Sequence, residues 1–169
     1  MKTPPPPADT LRRVIKIARL DGLSVLIVSG LCALVAIALG DLISSIVGLL
    51  VAAAGWSEWH GAKLLRRGDA GGLTWLVRSQ LSLLSIILLY AVTRMASYDP
   101  EYVRSLITPD MNQMFQSAGL SVQEVMPMVR TTFYAGYGTL ALVTLVYQGG
   151  LALYYRLRAE TVRAALGGT

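Results

Sequence analysis

The sequence predicts an all-α integral membrane protein with four transmembrane helices, and three observations predict it. The chain is 54% apolar and only 15% charged over 169 residues, where a soluble domain carries about 25% charged residues. Its mean hydropathy is +0.54. The apolar residues are gathered into long runs of the length that crosses a bilayer, about 20 residues each. Four such crossings use roughly 80 to 90 residues. That leaves room for one membrane domain with short appendages.

Residues 1 to 8 (MKTPPPPA) form a proline-rich tail that does not propagate a helix. Residues 9 to 20 predict a short basic amphipathic helix capped by Asp9 or Thr10. Leu11, Val14, Ile15 and Ala18 share one face. Arg12, Arg13, Lys16 and Arg19 supply the basic side, expected to sit among anionic headgroups at the membrane surface. The basic region ahead of the first apolar run is too long for a signal peptide, so that run reads as an uncleaved span.

Spans one and two are expected at about 23–39 and 42–56, joined by a tight Gly40-Asp41 turn. Both are near the short end for about 30 Å of hydrocarbon. Trp56 and Trp59 suit an interfacial belt. The second helix is expected to run on through Arg67 and stop at Gly68, a favoured residue just past a helix end. Span three follows at about 73–95. Residues 97 to 130 are less apolar and carry helix-start signals: Asp99-Pro100, Thr108-Pro109, and the Ser121/Glu124 capping pair. Two or three short helices are expected in this extracytoplasmic loop, with Leu106, Met111, Met114, Phe115, Leu120 and Val125 on a buried or lipid-facing side. Pro127 is expected to break the chain or begin the next helix. Span four is expected at about 131–155, followed by a basic tail with Arg156, Arg158 and Arg163.

Lysine and arginine, counted loop by loop, orient the spans. The N-terminal segment holds five, the segment between spans two and three holds Lys63, Arg66 and Arg67, and the tail holds three. The turn between spans one and two holds none. Arg94, Arg104 and Arg130 are diluted along the loop after span three by Asp99, Glu101, Asp110 and Glu124. The expected orientation therefore puts both termini in the cytoplasm, and the expected location is a bacterial inner membrane.

Ionisable residues within spans are costly and are functional candidates by default. The candidate polar cluster is Glu58, His60, Arg78 and Gln80. If spans two and three turn about residue 70, position 60 faces position 80 and Glu58 approaches Arg78. A Glu58–Arg78 pair and a His60–Gln80 neighbourhood are then expected. Thr74, Arg78, Ser82 and Ser85 share one face of span three. Ser44, Gly48 and Ala52 recur every four residues on span two, and Thr132, Gly136, Thr139, Tyr147 and Gly150 line one side of span four. Such stripes permit close helix packing, within the chain or between copies, or line a polar path. Tyr147 and Gln148 sit deep enough to need partners.

The chemistry of most enzymes is missing from the pattern. His60 and Cys32 are the lone residues of their kinds and lie far apart, which argues against triads, zinc and haem. Gly68–Gly72 lacks the lysine and preceding strand of a phosphate loop. No cofactor or nucleic-acid partner is expected. The expected partners are anionic headgroups, further copies of the chain, or another membrane protein. The functional expectation is a small, self-associating, non-enzymatic membrane protein that serves as an accessory or structural subunit or a pore. Alternatives are a homo-oligomeric channel with its mouth at Glu58 and Arg78, and a lipid-active membrane enzyme.

Overall fold

The computed structural model describes residues 6–167, so residues 1–5 of the proline-rich tail lie outside it. The described chain forms α1 (Pro7–Ala38), α2 (Leu42–Arg66), α3 (Gly72–Ala96), α4 (Pro100–Ser105), α5 (Pro109–Ser117) and α6 (Val122–Gly167). No strand occurs among the described residues. α1, α2, α3 and α6 are each long and apolar enough to cross a membrane.

Turn chemistry sets most boundaries as expected. Gly40, at φ +73°, closes the first turn, and Asp41 caps α2 by accepting from the Ser44 N–H at 3.0 Å. Gly68, at φ +85°, ends α2 because a residue without Cβ enters the left-handed region at no steric cost. Asp99 and Thr108 cap α4 and α5, and the Ser121/Glu124 box opens α6. α4 and α5 bury none of their residues, so the apolar side chains of the loop stay on the outside of this chain.

Two boundaries differ from expectation. α1 is continuous from Pro7, with no break between an interfacial helix and a span. Pro7 stands in the first turn, where its missing N–H costs nothing. Pro127 lies inside α6 instead of interrupting it. It is six residues into the helix, and the chain carries on without a stop. α6 continues through Arg156, Arg158 and Arg163, so most of the basic tail is helical.

The described chain divides into two compact units: residues 6–88 with 144–167, and residues 89–143. In the smaller unit, aromatic rings pack on one another. Tyr137 meets Tyr90 and Phe133, and Tyr98 meets Phe133 and Tyr134. Arg130 lies over the Tyr134 ring.

The core of the larger unit is built from Val14 and Ala18 of α1, Ala62 and Leu65 of α2, Leu73 and Leu76 of α3, and Tyr155 and Val162 of α6. Leu11 and Ile15 pack onto it. On the apolar face of the basic helix, Val14 and Ala18 are buried in this core and Leu11 and Ile15 are half-buried against it. Arg12, Arg13, Lys16 and Arg19 remain exposed on the other side.

Glycines let the helices touch. A Cβ on Gly22 would meet the Trp59 nitrogen at 2.7 Å and the Gly55 carbonyl at 2.8 Å. A Cβ on Gly55 would meet the Leu26 nitrogen at 2.7 Å and the Gly22 carbonyl at 2.8 Å. Backbone cannot yield as a flexible side chain does, so both positions require glycine. Further along the same pair, Gly48 packs on Ala33, placing one member of the Ser44/Gly48/Ala52 stripe within the chain. Between α2 and α3, Gly61 and Gly72 make a similar close approach.

Gly55→Val is expected to lower stability by about 1–3 kcal/mol or more through overpacking. Gly30→Ala, where an added Cβ meets nothing within 4 Å, should be neutral or slightly stabilising. Thermal unfolding of the two variants in detergent checks the contrast.

Candidate functional site

The apolar core stripes of α1, α2, α3 and α6 are interrupted by polar residues, of which Asp21, Glu58, Gln80 and Tyr155 converge. On α1, Asp21 continues the spacing of Val14 and Ala18. On α2, Glu58 precedes Ala62 and Leu65 on the buried face. On α3, Gln80 lies between Leu76 and Leu83, and on α6 Gln148 and Tyr155 lie fourteen and seven residues ahead of Val162. Glu58, Gln80 and Tyr155 are fully buried, and Asp21 is nearly so.

Three hydrogen bonds connect them. Tyr155 OH donates to Glu58 Oε1 at 2.8 Å. Tyr147 OH donates to Asp21 Oδ1 at 2.9 Å, and Gln80 Nε2 donates to Asp21 Oδ2 at 3.3 Å. The Gly22–Gly55 contact brings the two acids onto one site, since a Cβ on Gly22 would stand 3.1 Å from the Glu58 Cβ. Glu58 and Asp21 lie close enough to interact electrostatically.

Three buried oxygens have no donor: Glu58 Oε2, Gln80 Oε1 and Gln148 Oε1. An unmade hydrogen bond in a buried site costs about 1–3 kcal/mol, more for a charged group. Among the described residues, no lysine, arginine or histidine side chain donates to either carboxyl group. The site is thus rich in acceptors and lacks positive charge.

The expected Glu58–Arg78 pair does not form. The close Gly61–Gly72 approach centres the α2–α3 hairpin between Arg66 and Arg67, about three residues ahead of residue 70, which is most of a helical turn. Arg78 is exposed, while Glu58 faces α6. His60 does not lie beside Gln80. Its ring stacks on Trp56 at 5.2 Å and meets the Trp75 edge at 5.3 Å. Of the four predicted cluster members, the structure brings together Glu58 and Gln80.

Arg78 lines a separate groove of about 430 Å³ between α2 and α3, with Ser57, Thr74, Ser79 and Ser82. Ser85, on the same face of α3, is exposed. On α6, Gly136 and Gly150 meet no neighbour within 4 Å, and Thr139 and Tyr147 are exposed. Of this stripe Tyr147 is used inside the chain, by Asp21, while a Cβ added at Gly136 or Gly150 would meet nothing.

Asp21 and Tyr155 were not legible as site residues from composition, because Asp21 fell between a predicted interfacial helix and a span. The available signal was periodicity. Asp21 is seven residues after Val14, and Tyr155 seven before Val162, both on apolar stripes. For Tyr147, Asp21 is the partner its depth requires.

Fold and site together define an all-helical protein with four membrane-length helices and a paired-acid polar interior. Comparison with known protein families, with curated proteins and with solved structures finds no match to this chain.

Tyr155→Phe is expected to destabilise the protein by about 1–3 kcal/mol, because it strips Glu58 of its donor. Arg78→Gln should change stability by less than about 0.5 kcal/mol. A double-mutant cycle with Glu58→Gln should show coupling to Tyr155→Phe and none to Arg78→Gln. Unfolding in mixed detergent measures both.

Proposed function

We propose that this chain is a non-enzymatic, four-span membrane protein that acts as an accessory or transport subunit, and that its state follows occupancy of the Asp21–Glu58 site by a proton or a monovalent cation. One observation carries this reading: two carboxyl groups share a buried site that holds unpartnered acceptor oxygens and no basic side chain. Burying such a site uncompensated is costly, and a single positive charge compensates it. Acidic residues inside membrane helices serve ion and proton steps for this reason.

A pore mouth at Glu58 and Arg78 has less support. Glu58 is enclosed within one chain, and Arg78 faces away from it. Self-association is favoured by the open glycines Gly136 and Gly150, which leave a small-residue face of α6 for a second membrane helix.

The orientation follows from the basic residues. Arg12, Arg13, Lys16 and Arg19, then Lys63, Arg66 and Arg67, then Arg156, Arg158 and Arg163 belong to segments that alternate along the chain. Both termini and the α2–α3 turn are assigned to the cytoplasm of a bacterium, with α4 and α5 on the far side of the inner membrane.

Two measurements test this. First, thermal unfolding is followed against pH and against sodium, potassium and lithium, with ionic strength held constant. A midpoint that moves with pH or with one cation in the parent, and not in Glu58→Gln or Asp21→Asn, is expected. A midpoint indifferent to all of them refutes the cation-linked reading. Cation flux in liposomes then separates transport from accessory duty. Second, in a Cys32→Ala background, Asp69→Cys should label only from the cytoplasmic side and Ser117→Cys only from the opposite side. The reverse pattern overturns the orientation.

A further inference from the structure

The α2–α3 groove is opposite in chemistry to the acid site. Its polar groups are donors: the Arg78 guanidinium and the hydroxyls of Ser57, Thr74 and Ser82. Elsewhere in these helices serine hydroxyls turn back onto carbonyls of their own helix, as Ser79 does to Leu76 and Ser45 to Asp41. Among the described residues, the hydroxyls of Ser57, Thr74 and Ser82 make no such bond, and no carboxylate pairs with Arg78. The far end of the groove is apolar, walled by Leu50, Ala53 and Ile86.

Depth sharpens the mismatch. Arg78 is six residues into α3, about 9 Å along the axis at 1.5 Å per residue. Helical side chains lean toward the N-terminus of their helix. Arg78 therefore leans back toward Thr74 and Gly71, which line the same groove. An arginine leaning toward that helix end reaches the headgroup layer, and guanidinium with adjacent hydroxyls matches the oxygens of a phosphate.

We propose that this groove binds an anionic phospholipid of the surrounding bilayer, with its phosphate on Arg78, Ser57, Thr74 and Ser82 and an acyl chain along Leu50, Ala53 and Ile86. The groove and its charge select this occupant: a donor cluster at one end, an apolar wall continuous with it, and exposure on the outside of α2 and α3. The inference requires α2 and α3 to lie in a membrane. It does not depend on the cation-linked reading of Asp21 and Glu58, and its readout is separate.

The test is native mass spectrometry of purified, delipidated full-length protein after addition of phosphatidylglycerol or phosphatidylcholine in detergent. The parent should retain phosphatidylglycerol in preference to phosphatidylcholine. Arg78→Gln should weaken that retention about tenfold or more, the loss expected for a charge-assisted pair. Arg163→Gln, an exposed basic position on α6, should leave it unchanged. Ala53→Trp, which fills the apolar end without touching the charge, should also abolish it, so the question survives if Arg78→Gln does not fold. Equal retention of both lipids, or retention by both variants at the parent level, overturns the proposal. Displacement of the lipid by inorganic phosphate at matched ionic strength assigns the donors to a soluble anion and overturns the lipid assignment as well.

Discussion

The backbone contact between Gly22 and Gly55 is the constraint on which the larger unit depends. Each glycine lies against the carbonyl of the other at a separation no side chain permits. The contact fixes how deeply α1 lies along α2. Asp21 immediately precedes Gly22, and Glu58 is one turn beyond Gly55, so the contact also fixes the distance between the two acids. Small-residue packing is an ordinary way to associate membrane helices. Here its position decides that two carboxyl groups share one interior.

The two sides of α3 then differ sharply. Its inner face offers Leu76, Gln80 and Leu83 to the core, and Gln80 reaches Asp21. Its outer face offers Thr74, Arg78 and Ser82 to a groove. Acceptors are collected inside and donors outside, although a fully self-satisfied protein would bring them together. Helical geometry explains how one segment can do both: residues 78 and 80 are about 200° apart around the axis at 100° per residue. An arginine and a glutamine two positions apart must serve different surroundings.

Much of this was legible in the sequence. The four membrane-length helices followed from apolar run length, and the ends of α2, α4 and α5 from Gly68, Asp99 and Thr108. The fate of the basic N-terminal helix was not. Its amphipathic pattern says that Leu11, Val14, Ile15 and Ala18 need an apolar surface, and both a bilayer and a protein core provide one. The partner of Glu58 was also hidden, because hairpin reasoning can only pair neighbouring helices and Tyr155 arrives from α6. The hairpin register was misplaced by the assumption of a turn at residue 70. Close packing of Gly61 on Gly72 tightens the connection and moves its centre toward α2.

The partners of the two acids come from the far end of the chain. The bond from Tyr147 to Asp21 spans 126 residues, and that from Tyr155 to Glu58 spans 97. A ribosome adds about 5–20 residues per second, so Glu58 is made roughly 5–20 s before its tyrosine exists. During that interval α1 and α2 can already cross at their glycines and Gln80 of α3 can reach Asp21, while Glu58 has only water, lipid headgroups or the insertion machinery for company. The polar interior is therefore completed last. Whatever holds the first two helices near water until α6 is threaded is part of how this protein is born.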